Sequence, residues 1–163
     1  MAAADPLSVG SKAPDFTLAD EVGRRVRLSE LRGRPVVLFF YPEDDTPVCT
    51  QQACGFRDEH ARFAAAGAVV LGVSPDDAVS HRAFKAKFSF PYALLSDPGN
   101  KVATRYGAFG EKLMYGKKVQ GTIRSSVLVD AQGRVAGVWR SVRSAGNGAR
   151  MADAVETLTR AGP

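Results

Sequence analysis

The stretch Val36-Val37-Leu38-Phe39-Phe40-Tyr41, closed by Pro35 before it and Pro42 after it, decides the fold. Six consecutive apolar side chains leave no polar face for water, and the run is too short for a buried helix. It predicts a strand covered on both faces, the centre of a sheet with helices on each side. A polar loop, Glu43-Asp44-Asp45, follows. A helix then begins with Thr46 as N-cap and Pro47 at the first helical position, where a missing N–H is no loss. Cys49 falls at the third helical position. Stepping about 100° per residue places Cys49, Ala53, Phe56, His60 and Phe63 on one face, while Cys54 lies about 140° round with Asp58 and Ala61. The two thiols point in different directions.

Upstream, residues 16–18 and 25–28 read as short strands around the polar turn 20–24. Downstream come a second buried strand over 68–73, an amphipathic helix over 76–88 carrying Phe84 and Phe88, a strand over 92–95 and a short helix over 100–106. A glycine-rich surface loop, 107–121, leads to a hairpin of strands 123–129 and 134–139 that turns at Asp130-Ala131-Gln132-Gly133. A helix over 151–158 closes the chain. Alternation followed by a hairpin gives an α/β fold with a central mixed β-sheet flanked by helices, and thioredoxin-like is the natural candidate.

With 163 residues, 45% hydrophobic and 24% charged, the chain has the size and composition of a single domain, 1–163, with a sizeable core. The longest apolar stretch, 63–73, is interrupted by Gly67 and Gly72 and falls short of the roughly 20 residues that a bilayer requires. No membrane association is expected. Residues 1–6 carry neither a basic segment nor an apolar one, so no secretory signal is read there and a cytoplasmic location is expected. The net charge of +5 is concentrated in residues 24–34, where five arginines face only Glu30. No interleaved aromatics accompany them, so the strip predicts a solvated surface rather than a nucleic-acid partner.

Chemistry is expected from the chain's two cysteines, Cys49 and Cys54. In a reducing compartment a structural disulfide is disfavoured, which leaves thiol chemistry or metal binding. The C-x4-C spacing is not that of zinc pairs, and His60 and His81 lie on separate elements, so no metal and no cofactor is expected. A thiol in the first turn of a helix sees free N–H groups and the positive end of the helix dipole, both of which favour thiolate. Nucleophilicity falls as acidity rises, so a fast reaction also needs donors placed on its transition state. The bland alternatives are a small buried hydrophobe at Cys49 and an inert thiol at Cys54. In an intact helix, residues five apart have Cα atoms about 8.7 Å from each other, beyond the roughly 7 Å that a disulfide spans. Pairing would require local unwinding.

Pro42-Glu43-Asp44-Asp45-Thr46-Pro47-Val48-Cys49 resembles the peroxiredoxin signature P-x-x-x-T-P-x-C. The continuation Thr50-Gln51-Gln52-Ala53-Cys54-Gly55-Phe56-Arg57-Asp58 is similar to the bacterioferritin comigratory protein, or peroxiredoxin Q, branch. The similarity runs from about residue 9 to 158, through Ala13-Pro14-Asp15-Phe16-Thr17-Leu18, Leu94-Leu95-Ser96-Asp97 and Gly121-Thr122-Ile123-Arg124-Ser125-Ser126. The resemblance implies a thioredoxin fold and a thiol peroxidase acting on hydrogen peroxide and organic hydroperoxides. Cys49 would be the peroxidatic thiolate that becomes a sulfenic acid, and Cys54 the resolving cysteine that forms an intramolecular disulfide with it. Pro42 would shield the sulfur, the Thr46 hydroxyl would hydrogen-bond the peroxide, and Arg124 would hold thiolate and peroxide together. It further implies recycling by thioredoxin or a similar dithiol protein, and a monomer. Val48 stands where many relatives have Gly, and Gln52 where many have Glu. Two other functions compete: a thiol-disulfide oxidoreductase, against which the C-x4-C spacing speaks, and a redox-switched binding protein using the arginine strip.

Overall fold

A computed structural model describes residues 5–161, so part of the leader-free reading of residues 1–6 lies outside the described residues. Among the described residues nine strands form, β1 (Thr17–Ala19), β2 (Arg25–Arg27), β3 (Val36–Phe40), β4 (Val69–Ser74), β5 (Ala93–Ser96), β6 (Phe109–Met114), β7 (Lys117–Thr122), β8 (Ser125–Val129) and β9 (Val135–Trp139). The helices are α1 (Pro47–Asp58), α2 (His60–Ala65), α3 (Ala78–Phe88), α4 (Lys101–Arg105) and α5 (Asn147–Arg160). Seven strands make one mixed sheet in the order β2-β1-β5-β4-β3-β8-β9, with β3, β4 and β5 parallel and β8 antiparallel to β3. This is the thioredoxin-like α/β fold; β4 holds the middle position, and β3 lies inside the sheet between β4 and β8, buried along its whole length.

Strand periodicity divides the core in two. Val36, Leu38 and Phe40 enter one layer with Val102, Ala103 and Tyr106 from α4 and its end. Val37, Phe39 and Tyr41 enter the other with Cys49, Ala53 and Phe56 of α1, Phe63 of α2, Phe84 of α3 and Met151 and Val155 of α5. The helix bearing both cysteines therefore lies on the Phe39 side of the sheet. Phe39 and Phe56 stack with centroids 4.3 Å apart and planes 8° apart. Gly72 faces Phe39 across the β3–β4 pair. A Cβ there would lie 2.8 Å from the Phe39 ring and 2.9 Å from Leu94 Cδ2, so only glycine leaves room for that ring. Sheet, ring stack and helix form a chain of contacts that fixes α1.

Three expectations change. The helix from Pro47 does not run on to Phe63 but breaks at Glu59, whose N–H bonds back to the Phe56 carbonyl. Asp58 and Glu59 place two carboxylates at the negative end of the helix dipole, which disfavours continuing it. Residues 107–121 are not a loop, because β6 and β7 pair antiparallel around Tyr115 and Gly116, both at positive φ. Lysine-rich arms and a Tyr-Gly turn in place of Asn-Gly hide this hairpin from its sequence pattern. Finally, α5 begins at Asn147, four residues ahead of the expected start. Gly148 there packs so tightly on α1 that a Cβ would lie 2.4 Å from the Gly55 carbonyl oxygen.

The arginine strip is spread over separate contacts: Arg27 Nε donates to Thr17 Oγ1, and Arg34 Nε to the Gly67 carbonyl. Among the described residues no helix is long and apolar enough to cross a membrane.

Candidate active site

The turn from β3 into α1 places Cys49. Thr46 occupies the N-cap with extended backbone (φ −90°, ψ 153°), and its carbonyl accepts the Thr50 N–H, starting the helix. Its hydroxyl accepts from no helix N–H. It donates instead to the Glu43 carbonyl at 2.9 Å, so the side-chain cap expected at Thr46 is replaced by a bond back into the loop. Cys49 stands at the third helical position, 1% exposed, where the first-turn N–H groups have no partner within the helix.

Arg124 reaches Cys49 from the segment joining β7 to β8. Its Nη2 lies 3.3 Å from Cys49 Sγ, and its Nη1 donates to Gln52 Oε1 at 2.5 Å. Gln52 Nε2 in turn donates to Asn147 Oδ1 at 2.9 Å, and Ser126 Oγ donates to the same oxygen at 3.0 Å. Gln52, Ser126 and Asn147 are fully buried. The guanidinium is thus aimed at the sulfur by a relay through α1, β8 and the first turn of α5. A cleft of about 470 Å³ opens beside it, lined by Pro42, Ile123 and Arg124 together with Lys112 and Leu113 of β6. Arg124 and Pro42 share this cleft.

Cys54 sits in different surroundings. It is half-buried, and burial pushes its thiol up from the ordinary value, with nearby Arg57 pulling the other way and Asp58 adding to the rise. Around it, Tyr92 donates its hydroxyl to the Ala53 carbonyl at 2.6 Å, and Arg57 Nη1 donates to the Phe88 carbonyl at 2.9 Å. Both thiols are free, on one uninterrupted helix.

Of the five residues singled out in the sequence, the structure joins Cys49 to Arg124 directly, sets Pro42 in the Arg124 cleft, puts Thr46 one turn ahead of Cys49, and keeps Cys54 one and a half turns beyond it. In the sequence Gln52 stands out only as a departure from relatives, and its bond to Arg124, 72 residues on, has no local signature. Asn147 lies 95 residues from Gln52, and no local pattern announces their contact.

Among the described residues, Asp44, Asp76 and His81 form a group with the spacing of metal ligands, their ligand atoms lying within 4.8 Å of one another. Those atoms are already engaged: Asp44 accepts from Tyr41 Oη and Ser80 Oγ and lies 2.6 Å from His81 Nδ1, and Asp76 accepts from Ser74 Oγ and the Asp44 N–H. A cation would have to displace these protein donors.

Residues 9–138 match the AhpC/TSA family. The chain is 41% identical over 152 residues to peroxiredoxin Bcp of Bacillus subtilis, covering 93% of this chain and 95% of that one. It is 57% identical over 101 residues to the chloroplastic peroxiredoxin Q of Oryza sativa subsp. japonica, which covers 62% of this chain and 46% of that one. A structure of the bacterioferritin comigratory protein of Xanthomonas campestris superposes with a TM-score of 0.86 at 34% identity, covering 93% of this chain and 99% of that one. That structure belongs to work on alkyl peroxide reduction activity in trapped intermediate and ligand complexes.

Proposed function

The chain belongs to the AhpC/TSA family as a peroxiredoxin, and from that membership we propose a thiol peroxidase cycle carried by Cys49 and Cys54 and driven by hydrogen peroxide or an alkyl hydroperoxide. The observation that carries it is the Arg124 Nη2 3.3 Å from Cys49 Sγ, in the first turn of α1. The Cys49 thiolate attacks one peroxide oxygen. The O–O bond breaks, the departing oxygen takes a proton and leaves as water or alcohol, and Cys49 becomes a sulfenic acid. Arg124 donates to the sulfur and to the oxygens on which charge develops, which is where placed donors lower a barrier most.

Thr46 has a defined part. With its proton directed to the Glu43 carbonyl, its oxygen is left to accept from the O–H of an incoming peroxide and so to orient it. Pro42, in the cleft with Arg124, shields the reacting sulfur from bulk water. Gln52, neutral where many relatives carry Glu, grips Arg124 without drawing on its charge.

In the second half of the cycle, α1 unwinds and the Cys54 thiol attacks the sulfenic sulfur. Water is released and an S–S bond joins the two. Two electrons and two protons from thioredoxin or a similar dithiol protein restore both thiols. The chain acts as one domain, as a monomer in the cytoplasm, without metal, cofactor, nucleic acid or membrane.

Mass spectrometry with thiol labelling tests this on reduced protein, before and after one equivalent of hydrogen peroxide. The expected result is loss of both free thiols with a mass decrease of about 2 Da within one chain, reversed by thioredoxin. A persistent sulfenic acid at Cys49 beside a free Cys54 removes the resolving role. Two unreactive thiols overturn the proposal.

A further inference from the structure

Glu43 and Asp44 share one peptide unit, and it is gripped at both ends. Its N–H donates to Asp76 Oδ2 at 2.8 Å, and its carbonyl accepts the Thr46 hydroxyl at 2.9 Å. Asp76 is itself fixed by Ser74 Oγ at 2.7 Å. The Asp44 carboxyl is buried: Oδ1 accepts from Tyr41 Oη at 2.6 Å, and Oδ2 accepts from Ser80 Oγ at 2.8 Å and stands 2.6 Å from His81 Nδ1. His81 is fully buried, with its Nε2 3.1 Å from the Leu95 carbonyl oxygen.

Those contacts fix where protons lie. A carbonyl only accepts, so Nε2 carries a hydrogen. A carboxyl oxygen 2.6 Å from Nδ1 then requires a second proton between the two groups, as imidazolium facing carboxylate or as imidazole facing carboxylic acid. In either form a proton lies between the two groups and makes a directed bond. Tyr41 from the end of β3 and Asp76 from the segment after β4 are the other titratable groups bonded into the cluster.

We propose that His81 and Asp44 are positioning residues for the peroxide reaction: through the 43–44 peptide they turn the Thr46 hydroxyl so that its oxygen is open to the incoming peroxide. The inference rests on the peroxidase reading of Cys49. If Asp44 loses His81, its carboxyl keeps only Tyr41 and Ser80 and can shift in its pocket; the peptide, still held at its N–H by Asp76, then tilts about that bond and the Glu43 carbonyl moves off the Thr46 proton. The hydroxyl then turns to other acceptors. A shift of this size at a group that aligns the substrate slows a reaction without touching the nucleophile.

Two substitutions separate positioning from packing. In His81→Asn the side-chain amide nitrogen falls near the place of Nδ1 and can still donate to Asp44. In His81→Gln it falls near the place of Nε2, serving Leu95 and leaving Asp44 without its partner. The readouts are the single-turnover rate of Cys49 with hydrogen peroxide and, as control, the rate of its alkylation by iodoacetamide, which offers no O–O–H for Thr46 to align. His81→Gln is expected to slow the peroxide reaction about 10- to 100-fold, and His81→Asn by less than about threefold, with alkylation in both within about twofold of the unaltered protein. Equal losses in the two variants, or peroxide and alkylation rates falling together, overturn the positioning. Should His81 variants fail to fold, Tyr41→Phe removes one donor to Asp44 and keeps the ring. It is expected to slow only the peroxide reaction, by about fivefold, and an unchanged rate overturns the proposal equally. An unaltered chain whose Cys49 ignores peroxide overturns the peroxidase reading and this inference together, whereas peroxide-reactive protein with equal losses in both His81 variants overturns the positioning alone.

Discussion

Cys49 and Cys54 ride one helix in opposite surroundings. At the Cys49 end the sulfur is buried, Arg124 is aimed at it through Gln52, Asn147 and Ser126, and the preceding loop is tied by Asp44 to α3 and to the segment after β4. The Cys54 end is half-exposed, lies close to the break at Glu59, and is tied by Tyr92 to Ala53 and by Arg57 to Phe88. A disulfide must close a helical separation of about 8.7 Å. The difference teaches which end would yield in the proposed cycle: the Cys49 end is pinned from several elements, so the unwinding would fall on the side of Cys54. Burial meanwhile pushes the Cys54 thiol up, which disfavours its thiolate in the folded helix.

The widest way to break this comparison is to exchange one sulfur at a time. Cys49→Ser is expected to abolish peroxide consumption in a coupled dithiol assay, whereas Cys54→Ser should consume one equivalent and then stall without an added thiol. Multiple turnovers by Cys49→Ser would reverse the roles given to the two ends. Next in size is Arg124→Met, expected to slow the first peroxide step by about 100- to 1,000-fold in stopped-flow, with circular dichroism unchanged.

The pH dependence of closure is a finer measure. Because burial raises the Cys54 thiol, its thiolate is scarce at neutral pH and grows as pH rises. Disulfide formation after one equivalent of peroxide should therefore accelerate between pH 7 and 9, by up to about tenfold per unit. A flat profile would place the slow step in the unwinding itself. Smallest is Gly148→Ala, which drives a Cβ against the Gly55 carbonyl and should cost about 1–3 kcal/mol in urea denaturation. The same variant should close its disulfide faster, because α1 is pushed away from α5; a slower closure would mean that this contact guides the movement rather than opposing it.

Much of this was legible in the chain. Six apolar residues in a row identify β3 without help, and the Thr46-Pro47 start places Cys49 in the first turn because a proline at the first helical position is a local signal, even though Thr46 makes no side-chain cap. Arg124 is different: nothing in the short segment that carries it between β7 and β8 marks it, and only the resemblance to peroxiredoxins singles it out. The β6–β7 hairpin escaped because its arms pair with each other and bury little, leaving no apolar alternation to read; Leu113 and Tyr115 remain exposed. The Gln52–Asn147 relay escaped for another reason, since Gly146, Asn147 and Gly148 look like helix breakers yet open α5 through close packing on Gly55. His81 reads as a lone histidine on a helix, and its bond to Asp44, 37 residues away, depends on the sheet bringing α3 beside the loop.

The chain's single tryptophan stands beside that relay. Trp139 is paired with Ser126 across β8 and β9 and packs against the core shared by α1 and α5, and Ser126 is bonded to the asparagine that grips Gln52. Should unwinding of α1 in the proposed cycle pull Gln52 away from Asn147, the polarity and packing around the indole would change. The enzyme thus contains its own fluorophore beside the seam that the proposed cycle would open, and the wavelength and intensity of its emission should then follow each round in real time, with no dye attached and no cysteine spent on a label.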